Sequence, residues 1–339
     1  MIRMRVEIER WELSEPFTIA RGTMTHIPVV VLTLADLAGH TGRAEAAGVD
    51  YDGETPELLV RQLEEVIPLL RDRMAHGGVH DTIVPATFAA VRELLPPGGA
   101  RNALDGALWD LRAKQSGIPA WRAAGFDALV PLTTVFTIGI GSEADTRRKA
   151  RAAQHYPLLK LKCDAERHVD VVRWVREEHP QARLAVDANQ SWSRELLERV
   201  LPELVSLGVE LVEQPVKRHE DAQLDGLVSP LPLAADESVT DRTSLEAIAG
   251  RYQYINIKLD KCGGLTEALA MGDAALRLGL RLMVGNMCGT SLGMAPAFLV
   301  GQRCGYVDLD GPLLQLRDRE HALTCAHGVM QPPTSALWG

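Results

Sequence analysis

The sequence predicts an α/β protein, a TIM (β/α) barrel joined to a separate N-terminal α+β unit. Three observations carry that prediction. After about Leu132, short runs rich in Leu and β-branched residues recur eight times, and their ends fall 22–26 residues apart. That interval holds one strand, one loop and one helix, the repeating unit of a parallel sheet. Before about Val130 the texture is mixed instead, with two β-like runs followed by helical stretches. The chain's 339 residues also exceed the size at which a single core usually stops growing, so two domains are expected.

In chain order, Arg5–Leu13 and Ile27–Leu34 read as strands, and Leu58–Met74 and Ala100–Ser116 as helices. In the second helix Leu104, Leu108 and Leu111 recur at helical spacing beside Trp109. The eight later runs are Thr134–Thr137, Leu158–Lys162, Leu184–Asp187, Glu210–Glu213, Leu233–Asp236, Tyr254–Lys258, Arg281–Val284 and Tyr306–Asp310. Eight near-equal units favour closure into a barrel. The rival, an open doubly wound sheet, lacks a GxGxxG after its first run.

Composition excludes several classes of function. The 45 Asp and Glu outnumber 36 Lys and Arg, giving a net charge of −9 that offers no field for a nucleic-acid backbone. Apolar residues at 46% and charged residues at 24% are ordinary globular values. No apolar run approaches the roughly 18 residues of a membrane span, and the first residues carry charges where a signal peptide would be apolar. Cys163, Cys262, Cys288, Cys304 and Cys325 are odd in number and lack zinc-type spacing, so they read as reduced thiols. A soluble, cytoplasmic, acidic protein is the expectation, with no nucleic-acid or membrane partner and with homo-oligomer formation left open.

Charged residues close most of the eight runs: Lys162, Asp187, Glu213, Asp236, Lys258 and Asp310. The C-terminal ends of barrel strands form the mouth where barrel active sites lie. An Asp there also suits a helix N-cap. A Lys does not, because it opposes the helix dipole.

Asp187, Glu213 and Asp236 end three successive strands, so closure brings their carboxylates together. Like charges in one cavity need a cation, and hard oxygen ligands without His or Cys suit Mg²⁺, with Mn²⁺ as a substitute. Asn189 stands close enough in sequence to add a polar contact. Lys160 and Lys162 share one strand face, and their mutual repulsion is expected to lower a lysine's pKa toward the range of a general base. Lys258 ends the sixth strand, four strands round the ring from Lys162. One base on each side of a metal-held substrate suits removal of a proton from one face and its return to the other, through an enediolate. Asp308 and Asp310 share a face of the last strand and are expected to receive an ammonium group, although Asp310 also opens an Asp-Gly-Pro turn.

The ordered set Lys160-Leu-Lys162, Asp187-Ala-Asn-Gln, Glu213-Gln-Pro, Asp236-Glu-Ser and Asn256-Ile-Lys258 resembles the muconate-lactonizing subgroup of the enolase superfamily. Lys or His bases working beside Mg²⁺ are a known feature of that superfamily. The resemblance implies a modified TIM barrel with an N-terminal α+β capping domain. The implied boundaries are 1–125 for the cap, 126–315 for the barrel and 316–339 for a tail returning to the cap. Asp308-Leu-Asp310-Gly-Pro, Lys258-Leu-Asp-Lys-Cys-Gly-Gly and Arg101-Asn-Ala-Leu-Asp resemble dipeptide epimerases of the L-Ala-D/L-Glu type.

By that resemblance Asp187, Glu213 and Asp236 bind Mg²⁺, and Lys162 and Lys258 are the acid/base pair tuned by Lys160. Asp308 and Asp310 hold the substrate's α-ammonium, and Thr137 contacts the substrate. The loop Ile19–His26 offers Arg21 to a glutamate side chain, yet Met24 stands where relatives carry a cation and suits an apolar side chain. Gly289 likewise stands where some relatives are acidic. The expected activity is therefore epimerisation at Cα of the second residue of a dipeptide, Ala-Glu or an apolar variant. Alternatives are an o-succinylbenzoate synthase, an acid-sugar dehydratase or an N-succinylamino acid racemase on the same scaffold. A Schiff-base aldolase and a non-catalytic barrel are more distant.

Overall fold

The computed structural model describes residues 2–339. Strands β1 (Arg3–Ile19), β2 (Gly22–Ala35) and β3 (Thr41–Ala46) form an antiparallel sheet at the N-terminus. β1 and β2 extend well beyond the runs expected from sequence, because the polar residues between Ser14 and His26 complete a hairpin whose register shifts between Glu12 and Phe17. β3 and the helix Pro85–Leu94 were not anticipated. Helix α1 (Pro56–His76) starts on a Thr55 side-chain cap and buries Leu59, Leu63, Val66, Ile67 and Leu70 at helical spacing. The helix Gly99–Ser116 is buried along almost its whole length. It lies so close to β3 that a Cβ on Gly42 would overlap the carbonyl oxygen of Ala107.

After the short strand β4 (Leu132–Thr133), eight parallel strands follow in unbroken spatial order. They are β5 (Phe136–Ile138), β6 (Leu158–Lys162), β7 (Arg183–Asp187), β8 (Val209–Glu213), β9 (Leu233–Ala235), β10 (Tyr254–Lys258), β11 (Arg281–Gly285) and β12 (Tyr306–Val307). The two ends of the sheet meet, since the Val135 N–H donates to the Val307 carbonyl at 2.9 Å. Val135, Leu158, Ala185, Leu211, Ala234, Tyr254, Met283 and Tyr306, each from one of the eight strand segments, pack into a single interior cluster. A ring of that kind is the filled centre of a closed barrel. The last strand is shorter than expected. Asp308–Asp310 leaves it because Pro312 cannot donate to a ladder, and Asp310 opens a 3₁₀ turn over Gly311–Leu314. Between β8 and β10 the expected helices shrink to short turns, Asp221–Leu224, Arg242–Ser244 and Leu245–Ile248.

Two of the motifs that carried the resemblance interlock, and this fixes the cap on the barrel. Asn102 Nδ2 donates to Asp260 Oδ1 at 3.0 Å, and Asp105 Oδ2 accepts the Thr266 N–H at 3.0 Å. Arg101 donates to the Cys262 carbonyl. Asp260 also accepts the Ala47 N–H, so the turn just after Lys258 is held from two sides.

The tail runs back over the cap. Arg319 Nη2 reaches Glu45 at 2.6 Å and Glu9 at 2.8 Å, while its Nε donates to Thr290 Oγ1 at 2.6 Å. Trp338 Nε1 donates to the Gly106 carbonyl. Removing one partner of a buried ion pair strands the other, so Arg319→Ala should cost about 3 kcal/mol. Urea unfolding would measure it; a loss below about 0.5 kcal/mol would show that the tail's charges are ornamental to stability. Among the described residues, no helix is long and apolar enough to cross a membrane.

Candidate active site

The period-two alternation of each barrel strand decides which side chains enter the mouth. Thr137, Lys160 and Ala185 are register partners across β5, β6 and β7, and Lys162, Asp187 and Glu213 across β6, β7 and β8. Asp187, Glu213 and Asp236 are fully buried, and their carboxylate oxygens lie within 4.8 Å of one another. Burial and the neighbouring Asp187 push Glu213 up to about 7. Burial opposes ionisation of Asp236 too, but Lys258 and Lys261 outweigh it and hold that carboxyl well below its usual range.

The lysines interleave with this trio. Lys162 Nζ is 2.6 Å from Asp187 Oδ2, and Lys258 Nζ is 2.7 Å from Asp236 Oδ2. The two lysines therefore stand at opposite ends of the carboxylate row, as four-strand separation requires. Lys160 is buried beneath, 2.7 Å from Asp308, 2.8 Å from Glu213 and 3.1 Å from Asp187. Burial disfavours the Lys160 charge, but its carboxylate neighbours outweigh that and raise its pKa, so Lys160 is a counter-ion within the acid cluster. Burial is likewise outweighed at Lys258, where Asp236 raises the pKa.

Asp308 and Asp310 are both buried, but they do different things. Asp308 pairs with Lys160, whereas Asp310 Oδ2 accepts the backbone N–H of Thr137 at 2.7 Å. Burial and Asp308 push Asp310 up to about 7. Thr137 lines a neighbouring cavity with Phe136, Tyr156 and Leu313, and Phe17 lines both that cavity and the main cleft.

The main cleft, about 300 Å³, lies between cap and barrel and is lined by both Lys162 and Lys258. On its cap side Phe17, Ile19, Met24, Ile27 and Pro28 form an apolar wall, and Asp50, Glu54 and Thr55 add a polar stretch. Arg21 also lines it, but Nη1 is held 2.6 Å from Glu237 Oε1. Gly289 packs on the cap, where a Cβ would come 2.7 Å from Glu45 Oε1.

Several polar residues of the site carry no signal of function in the sequence by themselves. Lys261 donates to Asp236 Oδ1 at 2.6 Å and to the Asn256 carbonyl, and Asn256 Nδ2 donates to Glu213 Oε1 at 2.7 Å. Glu237 accepts from Asn189 Nδ2 at 3.3 Å. Lys261 falls one helical turn beyond Lys258, and Asn256 two residues before it; that spacing was the available clue.

A cation fits among the three acids. The donor set is all hard oxygen, and the three buried carboxylates face one another with oxygens within 4.8 Å. The residues present therefore suit Mg²⁺ or Mn²⁺.

Residues 1–125 match the family described as mandelate racemase / muconate lactonizing enzyme, N-terminal domain, and residues 143–336 match the enolase C-terminal domain-like family. The chain belongs to the enolase superfamily. Within that superfamily it is 42% identical over 245 residues to an N-acetyl-D-glutamate racemase of Pseudoalteromonas sp., covering 72% of this chain and 78% of that protein. It is 36% identical over 332 residues to the L-Ala-D/L-Glu epimerase of Escherichia coli K12, covering 97% and 99% of the two chains. Its fold matches, with a TM-score of 0.93, 39% identity and full coverage of both chains, an enolase family member from Agrobacterium tumefaciens with homology to dipeptide epimerases. That protein was solved with sodium and L-Ala-L-Glu bound. A dipeptide epimerase from Methylococcus capsulatus, solved with Mg and L-Arg-D-Lys, gives a TM-score of 0.87 at 29% identity, covering 97% and 96%.

Proposed function

We propose that this enolase-superfamily protein is an isomerase, a dipeptide epimerase that inverts Cα of the second residue by two-base proton transfer. One observation carries the reading: two lysines line one cleft at opposite ends of a buried carboxylate trio. Asp187, Glu213 and Asp236 would hold Mg²⁺, which when bound supplies positive charge to the substrate carboxylate as Cα loses its proton.

The remaining roles belong to the chain. As a neutral amine, one of Lys162 and Lys258 takes the Cα proton. The other, as an ammonium, gives a proton to the opposite face. Lys160 keeps its charge and balances the acids. Asp308 and Asp310 receive the α-ammonium, and the Asp310 bond to Thr137 fixes that end of the site. The apolar wall around Met24, with Arg21 already paired to Glu237, supports an apolar rather than anionic second residue. Five unpaired cysteines support a reducing, cytoplasmic location.

A second reading keeps the bases and changes the substrate to an N-acyl amino acid. It is favoured by Asp308 already pairing with Lys160, and by the similarity to an N-acetyl-D-glutamate racemase. Incubation with Mg²⁺ in D₂O and pooled Ala-Xaa dipeptides and N-acyl amino acids separates the two by mass. One added deuterium confined to apolar dipeptides is the expected result. Labelling confined to N-acyl amino acids would install the second reading, and no labelling in either pool would overturn both.

A further inference from the structure

The antiparallel sheet of the cap leaves one edge open. β1 is its border strand, and it pairs with β2 in unbroken register from Arg3↔Ala35 to Glu12↔His26. One bond at the end of that run shows which backbone groups point away from β2. The Leu316 N–H donates to the Glu12 carbonyl at 2.9 Å, beside a bridge between Leu13 and Gln315, so the tail adds to the outer edge there. In an antiparallel strand alternate residues turn both backbone groups to the same side. The backbone groups of Arg10, Ile8, Val6 and Met4 therefore point outward with those of Glu12. Among the described residues, no backbone group outside β1 and β2 bonds to these four.

An exposed edge of this kind is a template for another strand, and symmetry restricts how a second copy can add to it. A two-fold axis perpendicular to the sheet pairs residues whose side chains share a face, and therefore residues of the same parity. Centred on Val6, the axis sets Arg3 against Glu9, Arg5 against Glu7 and Met4 against Ile8. Moved to Arg5 or to Glu7, it sets that residue against its own copy. Moved to Met4 it pairs Arg3 with Arg5, and moved to Ile8 it pairs Glu7 with Glu9. Like charges directly opposite destabilise a strand pair, so the register centred on Val6 is the favoured one.

The backbone agrees with that register. Met4, Val6 and Ile8 fall in the hydrogen-bonded pairs, and Arg5 and Glu7 in the closer pairs, where side chains interact most. Ile8 is 42% exposed in the single chain, and the facing Met4 would cover it. Arg5 meanwhile reaches Glu7 of its own strand at 2.7 Å, with both side chains open to water, a pairing weak enough to exchange.

We propose that two copies of this chain join by antiparallel pairing of β1 about Val6, making one continuous sheet of the two caps. The paired segment lies on the far side of the register shift from Phe17 and Ile19, which line the cleft, so each cleft stays within its own chain. A single short edge buries less than the roughly 800 Å² per partner of a standard interface, so the dimer is weak and concentration-dependent.

Sedimentation velocity between about 5 and 500 µM should show the parent passing from monomer to dimer. Arg5→Glu and Glu7→Arg each place like charges opposite one another at two positions, and each variant alone should associate about tenfold more weakly or worse. An equimolar mixture of the two variants restores opposite charges at both positions and should dimerise as the parent does. Val6→Pro removes an outward N–H while sparing the ladder to β2, and should leave a folded monomer. Amides in residues 4–8 should exchange more slowly at high protein concentration than at low. A parent that stays monomeric over the whole range overturns the proposal. A dimer that tolerates both charge reversals or Val6→Pro, or two variants that stay apart when mixed, overturns this pairing. None of these readouts depends on turnover, so failure of the proposed function leaves them decisive.

Discussion

Lys162→Ala and Lys258→Ala each lose epimerisation by a factor of about 10³ or more, within the range expected for a positioned acid or base. The informative result is what each variant retains. The remaining lysine still faces one side of Cα, so it can remove and return a proton on that side alone. One variant should exchange Cα hydrogen with solvent only in the L,L epimer, and the other only in the L,D epimer. Proton NMR in D₂O with each pure epimer reads this directly. The fold should survive both changes, because Asp236 keeps Lys261 at 2.6 Å and Asp187 keeps Lys160 at 3.1 Å. Exchange of the same epimer by both variants would eliminate the two-base arrangement. Lys160→Ala should behave differently, since it removes a shared counter-ion of Asp308, Glu213 and Asp187 and weakens the whole cluster.

Mg²⁺ should stabilise the folded protein as well as activate it. Ligand binding to the native state alone adds about 2.7 kcal/mol at a hundredfold excess over Kd. For a chain larger than about 250 residues that corresponds to a rise in Tm of roughly 5 °C. Asp236→Asn should abolish the shift, because it removes a charged ligand from a trio whose oxygens lie within 4.8 Å of one another. Differential scanning calorimetry against Mg²⁺ concentration, for parent and variant, measures both. Full turnover in excess chelator, with a Tm indifferent to Mg²⁺, would refute the metal assignment.

The barrel was legible in the sequence because its period is long and its signal repeats. A strand ending in Lys162, then in Asp187, then in Glu213 gives both the topology and the charges at the mouth. The cap was less legible. β1 and β2 continue through polar residues that a hydropathy pattern does not mark, although the Gly99–Ser116 helix was marked by its Leu spacing. Local spacing also placed Asp308 and Asp310 together on one strand face, yet the Gly-Pro that follows ends the strand at Val307, and their partners differ.

What sequence could not supply was pairing between distant segments. Lys160 was read against its neighbour Lys162, two residues away. Its surroundings include carboxylates up to 148 residues distant, and these raise its pKa. Arg21 was offered to the substrate because nothing local claims it, whereas Glu237, 216 residues later, does.

The central claim is transfer of a proton between the faces of Cα by Lys162 and Lys258. The most direct measurement is a stereochemical time course by proton NMR in D₂O, starting from one Ala-Xaa epimer with an apolar second residue and Mg²⁺. In the first turnovers the account predicts that the newly formed epimer carries deuterium at Cα while unreacted starting epimer retains its hydrogen. Appearance of the new epimer with its original hydrogen, or washing-out of hydrogen without any inversion, would contradict it.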